Sequence, residues 1–292
     1  MLNIVITGAH SFIGNALARR LGEFPERYRV RLVSVRGDDW RGAGFAGADC
    51  VVHAAGIAHV NAKDVPDGEY LRVNRDLTVE VARRAKADGV GQFVFLSSVI
   101  VYGEASPAGE RRTITASTPA APAGAYGQSK LEAEQGLLKL ADEGFRVAIL
   151  RPPMVYGPGC KGNYRLLAKL ARLTPLFPDF DNRRSLLYVE NLAECLRLIV
   201  DGGLEGLFFP QDGVPLSTAG IVRHIAAATG RRVDFARWLN PLVRLAGRGG
   251  IVRRAFGDVA VDPALSDVPR GYRRFTTEEG IRRSEAGQPT EH

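Results

Sequence analysis

The stretch Leu2-Asn3-Ile4-Val5-Ile6-Thr7-Gly8-Ala9-His10-Ser11-Phe12-Ile13-Gly14 decides the fold. Leu2–Ile6 is apolar and reads as a buried strand, Thr7–Gly14 as a glycine turn, and Ile13–Leu21 as the helix that follows. Strand, turn and helix in that order open a doubly wound sheet. A glycine turn lets backbone approach a pyrophosphate, and the first amides of the helix, with its dipole, favour the anion. Three glycines are usual in such a turn, and Ser11 holds the place of the middle one. Serine is small, and its hydroxyl is able to donate to phosphate. The candidate contacts are Gly8, His10, Ser11, Phe12, Ile13 and Gly14. An ordinary tight turn is the alternative reading of these residues alone.

Working outward, the same rhythm continues. Val30–Val35, Cys50–Ala54, Phe93–Leu96 and Val147–Leu150 read as strands, and Leu71–Lys86 and Tyr126–Leu140 as helices. Alternation of this kind implies a parallel sheet covered on both faces. The segment between Leu21 and Cys50 is too short for two strands and two helices. About one strand-helix unit is therefore missing, and Val30–Val35 is expected to stand in for two neighbouring strands. Beyond residue 157 the pattern loosens. Tyr164–Leu173, Glu190–Val200 and Thr218–Thr229 read as helices, and Ser185–Val189 and Leu207–Pro210 as short strands. The expected division is a first domain over 1–156 that also receives about 183–203. A second is built from 157–182 and 204–283, with a frayed polar tail over 284–292.

Composition narrows the class. With 45% hydrophobic and 24% charged residues in 292, the chain reads as globular rather than disordered or fibrous. No run reaches the ~18 apolar residues of a membrane span. The first residues lack a basic start and a cleavage site, so they do not read as a signal peptide. Three cysteines, Cys50, Cys160 and Cys195, show no CxxC spacing. That argues against a disulfide framework or zinc, and fits a cytoplasmic location. The net charge of +7 comes from 39 basic and 32 acidic residues, with no long basic run. A dispersed arginine-rich surface explains this better than a nucleic-acid stripe.

The chemistry-bearing segment is Tyr126-Gly127-Gln128-Ser129-Lys130. A phenol and an ammonium at i and i+4 share one helix face. A free tyrosine has a pKa near 10, and a neighbouring cation is expected to pull it towards neutrality. Ser97-Ser98 follows directly after a strand, at the carboxyl edge where ligands of parallel sheets bind. A serine there is placed to hydrogen-bond an oxygen that is gaining a proton. Val35-Arg36 ends the second strand with no acid before Asp38, which leans towards a 2′-phosphate and hence NADP(H) over NAD. His10, His53 and His59 show no metal-ligand spacing and read as structural or cleft-lining.

Together these segments resemble the extended short-chain dehydrogenase/reductases, the NAD-dependent epimerase/dehydratase family. The resemblance rests on Thr7–Gly14, His53-Ala54-Ala55-Gly56, Asn74, Phe95-Leu96-Ser97-Ser98 with Val101-Tyr102-Gly103, Tyr126–Lys130, and Leu150-Arg151-Pro152-Pro153-Met154-Val155-Tyr156-Gly157-Pro158. It implies a Rossmann-type sheet with a smaller, mostly C-terminal substrate-binding domain, and a homodimer. It implies Ser98, Tyr126 and Lys130 as catalytic residues. Ala54, Ala55, Gly56, Asn74, Pro152 and Met154 would join Arg36, Tyr126, Lys130 and the glycine turn around an NADP or NAD cofactor, with no metal. The shortened second-strand region and Ser11 depart from the family pattern at the adenine side.

Gly56-Ile57-Ala58-His59-Val60, Lys161-Gly162-Asn163-Tyr164 and Asn182-Arg183-Arg184-Ser185-Leu186 resemble a bacterial subgroup of capsule and O-antigen enzymes. These are often labelled UDP-glucose 4-epimerases, and several are thought to reduce UDP-4-keto-6-deoxy-N-acetylglucosamine. The resemblance implies a UDP-sugar substrate held by Lys161, Asn163 and Arg184, with Ser98 and Tyr126 at the sugar. Arginine suits a diphosphate because its planar fork donates two bonds at once. The expected activity is NAD(P)H-dependent 4-keto reduction to UDP-N-acetylfucosamine or UDP-N-acetylquinovosamine. A 4-epimerase that retains NAD is the alternative, and a non-catalytic sensor is the alternative of another class. The basic, apolar stretch 241–257 reads as packing of the C-terminal domain, as a lid, or less readily as peripheral membrane contact.

Overall fold

The computed structural model describes residues 1–58 and 65–286. His59 and Val60 lie outside the described residues.

Strands β1 (Leu2–Thr7), β2 (Tyr28–Val33), β3 (Cys50–His53), β4 (Gln92–Leu96), β5 (Arg146–Leu150) and β6 (Gly206–Phe208) form one sheet in the order β6-β5-β4-β3-β1-β2. Every neighbouring pair is parallel. The strands are apolar on both faces because both are covered. Ile4 and Ile6 join Val52, Val94 and Leu150 on one side, beneath helices α1 (Phe12–Gly22) and α4 (Val189–Asp201). Val5 joins Val51, Phe93 and Ile149 on the other, beneath α2 (Leu77–Ala87) and α3 (Ala125–Leu138).

The missing strand-helix unit is visible at the edge. β2 is the last strand, and among the described residues no strand lies outside it. It therefore ends the sheet instead of standing in for two strands. The Gly37–Gly47 segment holds only the short helix Asp39–Ala43, whose Trp40, with Phe45 after it, is buried against the second core layer.

Three further expectations are corrected. Residues 206–208, assigned from sequence to the second domain, are β6, with Gly206 opposite Ala148 and Phe208 opposite Leu150. The helix expected at Leu71–Lys86 begins earlier, at Asp67, and passes through a wide π-helical turn over Leu71–Asp76 before α2. Ser284, Glu285 and Ala286 are not a frayed tail; they end the helix Thr277–Ala286. Ser284 and Glu285 are buried there, Ser284 Oγ donating to the Gly280 carbonyl and Glu285 accepting from Tyr164 (2.9 Å) and Arg172 (2.6 Å).

The rest of the chain is held by three small parallel pairs: Met154–Tyr156 with Leu186–Tyr188, Leu176–Pro178 with Asp234–Ala236, and Thr113–Ile114 with Ala260–Val261. Helices Asn163–Leu173 and Thr218–Ala228 pack there around Tyr156, Tyr164, Phe177 and Ile225.

Candidate functional site

The turn after β1 is built for close backbone approach. Gly8 has φ +84°, and a Cβ on it would lie 2.9 Å from the Ala55 amide nitrogen. Glycine is thus required both by conformation and by the nearness of the loop after β3. Ser11 caps α1: its Oγ accepts from the Gly14 amide at 2.9 Å. Its proton stays available, so the expected donation to phosphate and the cap are compatible. Phe12 and Ile13 have no carbonyl one turn back to meet, so their amides point out of the helix end. Gly8, Ser11, Phe12, Ile13 and Gly14 therefore form one cradle, with Ala54 and Ala55 against it and His10 exposed at its rim. These are the features a pyrophosphate needs. Arg36 is exposed just beyond the end of β2, where its guanidinium is free to meet a ribose substituent.

At the carboxyl end of β4, Ser98 is half-buried and opens the 3-10 turn Val99–Tyr102. Its Oγ accepts from the Ile100 amide (3.2 Å), so its hydroxyl proton is not used by that bond. Tyr126 lies in the first turn of α3, half-buried, with the Tyr70 ring 6.0 Å away. Ser98, Tyr126 and Lys130 are thus brought together.

The expected acidification by Lys130 is not what these residues alone produce. Burial pushes the Tyr126 phenol up to about 12; the Ser98 hydroxyl opposes this and Tyr70 adds to it. Lys130 Nζ donates instead to the Leu96 carbonyl at 2.8 Å and lies 4.7 Å over the Phe95 ring. A Cβ at Gly56 would be 3.4 Å from this ammonium and 3.0 Å from Asn74 Oδ1. Burial lowers the ammonium to about 8, against the pull of Glu134.

Asn74 sits in the π-helical turn, wholly buried. It accepts from the Ile57 amide (2.8 Å) and donates to the Ile57 carbonyl (3.0 Å) and Ser129 Oγ (3.2 Å). It clamps the loop after β3 to the helix that carries Tyr126. Pro152 is buried with its carbonyl accepting from the Val99 amide at 3.1 Å, so the Pro152–Met154 segment borders Ser98.

Two residues beneath the site carried no role in the sequence reading. Glu134, 2% exposed, accepts from Ser97 Oγ and from Arg151, whose Nε is 3.0 Å away. A glutamate four residues after Lys130, on the same helix face, was the signal.

On the substrate side the candidates separate. Lys161 is exposed, and Asn163 is half-buried at the start of its helix. Arg184 is buried; its Nη1 donates to the carbonyls of Arg254 (3.0 Å) and Gly257 (3.2 Å) at the end of the helix Gly250–Phe256, while its Nε has no partner among the described residues. Burial brings its guanidinium down to about 10. The stretch 241–257 folds into Gly250–Phe256 and most of Asn240–Leu245, burying Val243 and Ala255 and leaving Leu242, Leu245 and Ile251 exposed. Among the described residues no group of His, Cys, Asp or Glu is placed to hold a metal, and no helix is long and apolar enough to cross a membrane.

Comparison with known proteins agrees with this geometry. UDP-glucose 4-epimerase from Vibrio cholerae is 31% identical, covering 97% of this chain and 94% of that protein. The 2-alkyl-3-oxoalkanoate reductase of Stenotrophomonas maltophilia is 27% identical over 98% and 99%. Among solved structures, RMD from Pseudomonas aeruginosa complexed with NADPH superposes with a TM-score of 0.75 at 21% identity, and the UDP-glucose 4-epimerase of Thermus thermophilus in complex with NAD at 0.73 and 21%, each covering 98% of both chains. These two share the fold. Residues 4–206 match the NAD dependent epimerase/dehydratase family, and with the Vibrio relative this establishes that the chain belongs to that family of NAD(P)-dependent enzymes.

Proposed function

We propose that the protein is an NAD(P)H-dependent reductase of the 4-keto group of a UDP-activated 6-deoxy-N-acetylhexosamine. The observation that carries this reading is the placement of Ser98 at the carboxyl edge of the sheet and of Tyr126 one helical turn before Lys130, whose ammonium borders Gly56 in the loop against the glycine cradle. When bound, a reduced nicotinamide would supply the hydride. Tyr126 gives its proton to the oxygen that becomes an alkoxide, and Ser98 hydrogen-bonds the same oxygen. A phenol held near 12 is protonated at neutral pH, which is the state an acid needs in the reductive direction. Lys130 would hold the nicotinamide ribose, and Asn74 would fix the loop over it. Arg36, with no acid beside it at the strand end, favours NADPH over NADH. Lys161, Asn163 and Arg184 would hold the UDP portion. The nucleotide-sugar class is supported by the Vibrio cholerae relative's name, and reduction by that of the Stenotrophomonas relative.

The Vibrio relative also favours a second reading, a UDP-hexose 4-epimerase that uses the same residues in both directions. Incubation with UDP-4-keto-6-deoxy-N-acetylglucosamine and excess NADPH distinguishes them. Stoichiometric NADPH oxidation is expected, and Tyr126→Phe should lower kcat by roughly 10²–10⁴-fold with dinucleotide binding kept. Interconversion of UDP-glucose and UDP-galactose without added reductant, and no NADPH oxidation, would replace the reductase by the epimerase.

A further inference from the structure

Beneath the catalytic group lies a buried ion pair that touches no candidate ligand position. Tyr126, Lys130 and Glu134 follow one another at i, i+4 and i+8 along one face of α3. The Glu134 carboxylate accepts from Ser97 Oγ and from Nε and Nη2 of Arg151. Arg151 Nη1 donates in turn to the Tyr102 hydroxyl at 2.6 Å, with the guanidinium 5.0 Å over the Tyr102 ring. The side chains of Glu134 and Arg151 are 3% and 11% exposed.

Each partner is one residue from a group the site uses. Ser97 precedes Ser98, and Arg151 precedes Pro152, whose carbonyl holds the Val99 amide. Tyr102 closes the turn that Ser98 opens. Lys130 donates to the carbonyl of Leu96, the residue before Ser97. One carboxylate thus ties the ends of β4 and β5 to the helix that carries the phenol and the ammonium.

We propose that Glu134 is a positioning residue: through Ser97 and Arg151 it sets Ser98 against Tyr126, and from one turn further along α3 its carboxylate acts on Lys130. The catalytic consequence rests on the reductase reading, whereas the control of Lys130 does not. The charged and titratable groups around Lys130 are few. His53, wholly buried, faces it from β3 and is neutral; Tyr126 and Glu134 flank it on α3; Tyr70 stands beyond Tyr126; Arg151 reaches it only through Glu134. Phe95, Leu96 and Asn74, which also contact or border it, bring no charge. Glu134 is thus the one anion that offsets the burial of the ammonium among the described residues.

Only six lysines occur in the sequence, so the Lys130 side chain is separable by NMR of protein labelled with ¹³C at the lysine ε-carbon. In Glu134→Gln its titration should move to lower pH by about one unit, the order expected for losing a close opposite charge. In Glu134→Asp it should return most of the way. The double variant Glu134→Gln/Arg151→Met removes the unpaired cation and should show the same displacement if the single variant does not fold. NADPH affinity, followed by its fluorescence, should fall on the alkaline side at correspondingly lower pH, and turnover of the keto sugar should drop roughly 10- to 100-fold, as misplaced reacting groups do. A Lys130 titration unmoved in folded Glu134→Gln or in the double variant overturns the proposal. Wild-type protein that binds no dinucleotide overturns the reductase reading instead, and leaves the Lys130 measurement to decide on Glu134.

Discussion

His53 is wholly buried in β3 with both ring nitrogens partnered, Nδ1 with Thr7 (2.8 Å) and Nε2 with Thr78 (3.1 Å). Thr78 donates its own proton to the Asn74 carbonyl, so Nε2 carries the imidazole proton and Nδ1 accepts from Thr7. Burial, then the charge of Lys130, lowers this histidine from 6.5 to about 3. Below pH 6.5 the unfolded chain takes up a proton that the folded imidazole refuses, so stability must fall as the pH drops towards 3. Between pH 6.5 and 5 this one group should cost about 2 kcal/mol. Urea unfolding at those two pH values should show the stability difference between wild type and His53→Gln changing by that amount, since Asp212, raised to about 6 by burial, works in the opposite direction equally in both. Tyr126, Lys130 and Ser98 were legible because their spacing and strand-end placement are local facts. The direction of the Lys130 ammonium was not, because it depends on the Leu96 carbonyl of another strand.

Elements with a strong local period were read almost to their ends. α1 was expected at Ile13–Leu21 and spans Phe12–Gly22, with Ser11 in the capping geometry its side chain favours. Ser11→Ala should therefore destabilise the protein by about 1 kcal/mol, and Ser11→Gly by only a few tenths, in thermal or urea unfolding. An equal loss in both variants would remove the cap from the account. What escaped was set by packing. The strand pairs of the second half are two or three residues each, too short for any alternation to register. The last turn of the helix Thr277–Ala286 read as part of a polar tail because its buried polar residues are satisfied only in the fold, Glu285 by Tyr164 and Arg172 and Ser284 by the Gly280 carbonyl of its own helix. The π-helical turn at Leu71–Asp76 adds nothing to the pattern of apolar residues, yet it is where Asn74 turns inward to hold Ile57.

For the molecule as a whole, the parallel sheet was legible because each strand had to be apolar on two faces, and the shortened order because residues between Leu21 and Cys50 ran out. The shortening has a further cost. With its customary outer neighbour gone, β2 offers a row of backbone donors and acceptors to any passing chain. Tyr28–Val33 answers with Arg29 and Arg31, both exposed, while Leu32 at 43% exposure is its one large solvent-facing aliphatic group. Like charges meeting across two such borders would repel. Arg29→Val/Arg31→Val should accordingly leave the protein folded but sticky, with light scattering rising during storage while circular dichroism drifts towards added β-structure. The truncation that simplifies this protein thus makes its solubility depend on two arginines that have no part in its chemistry.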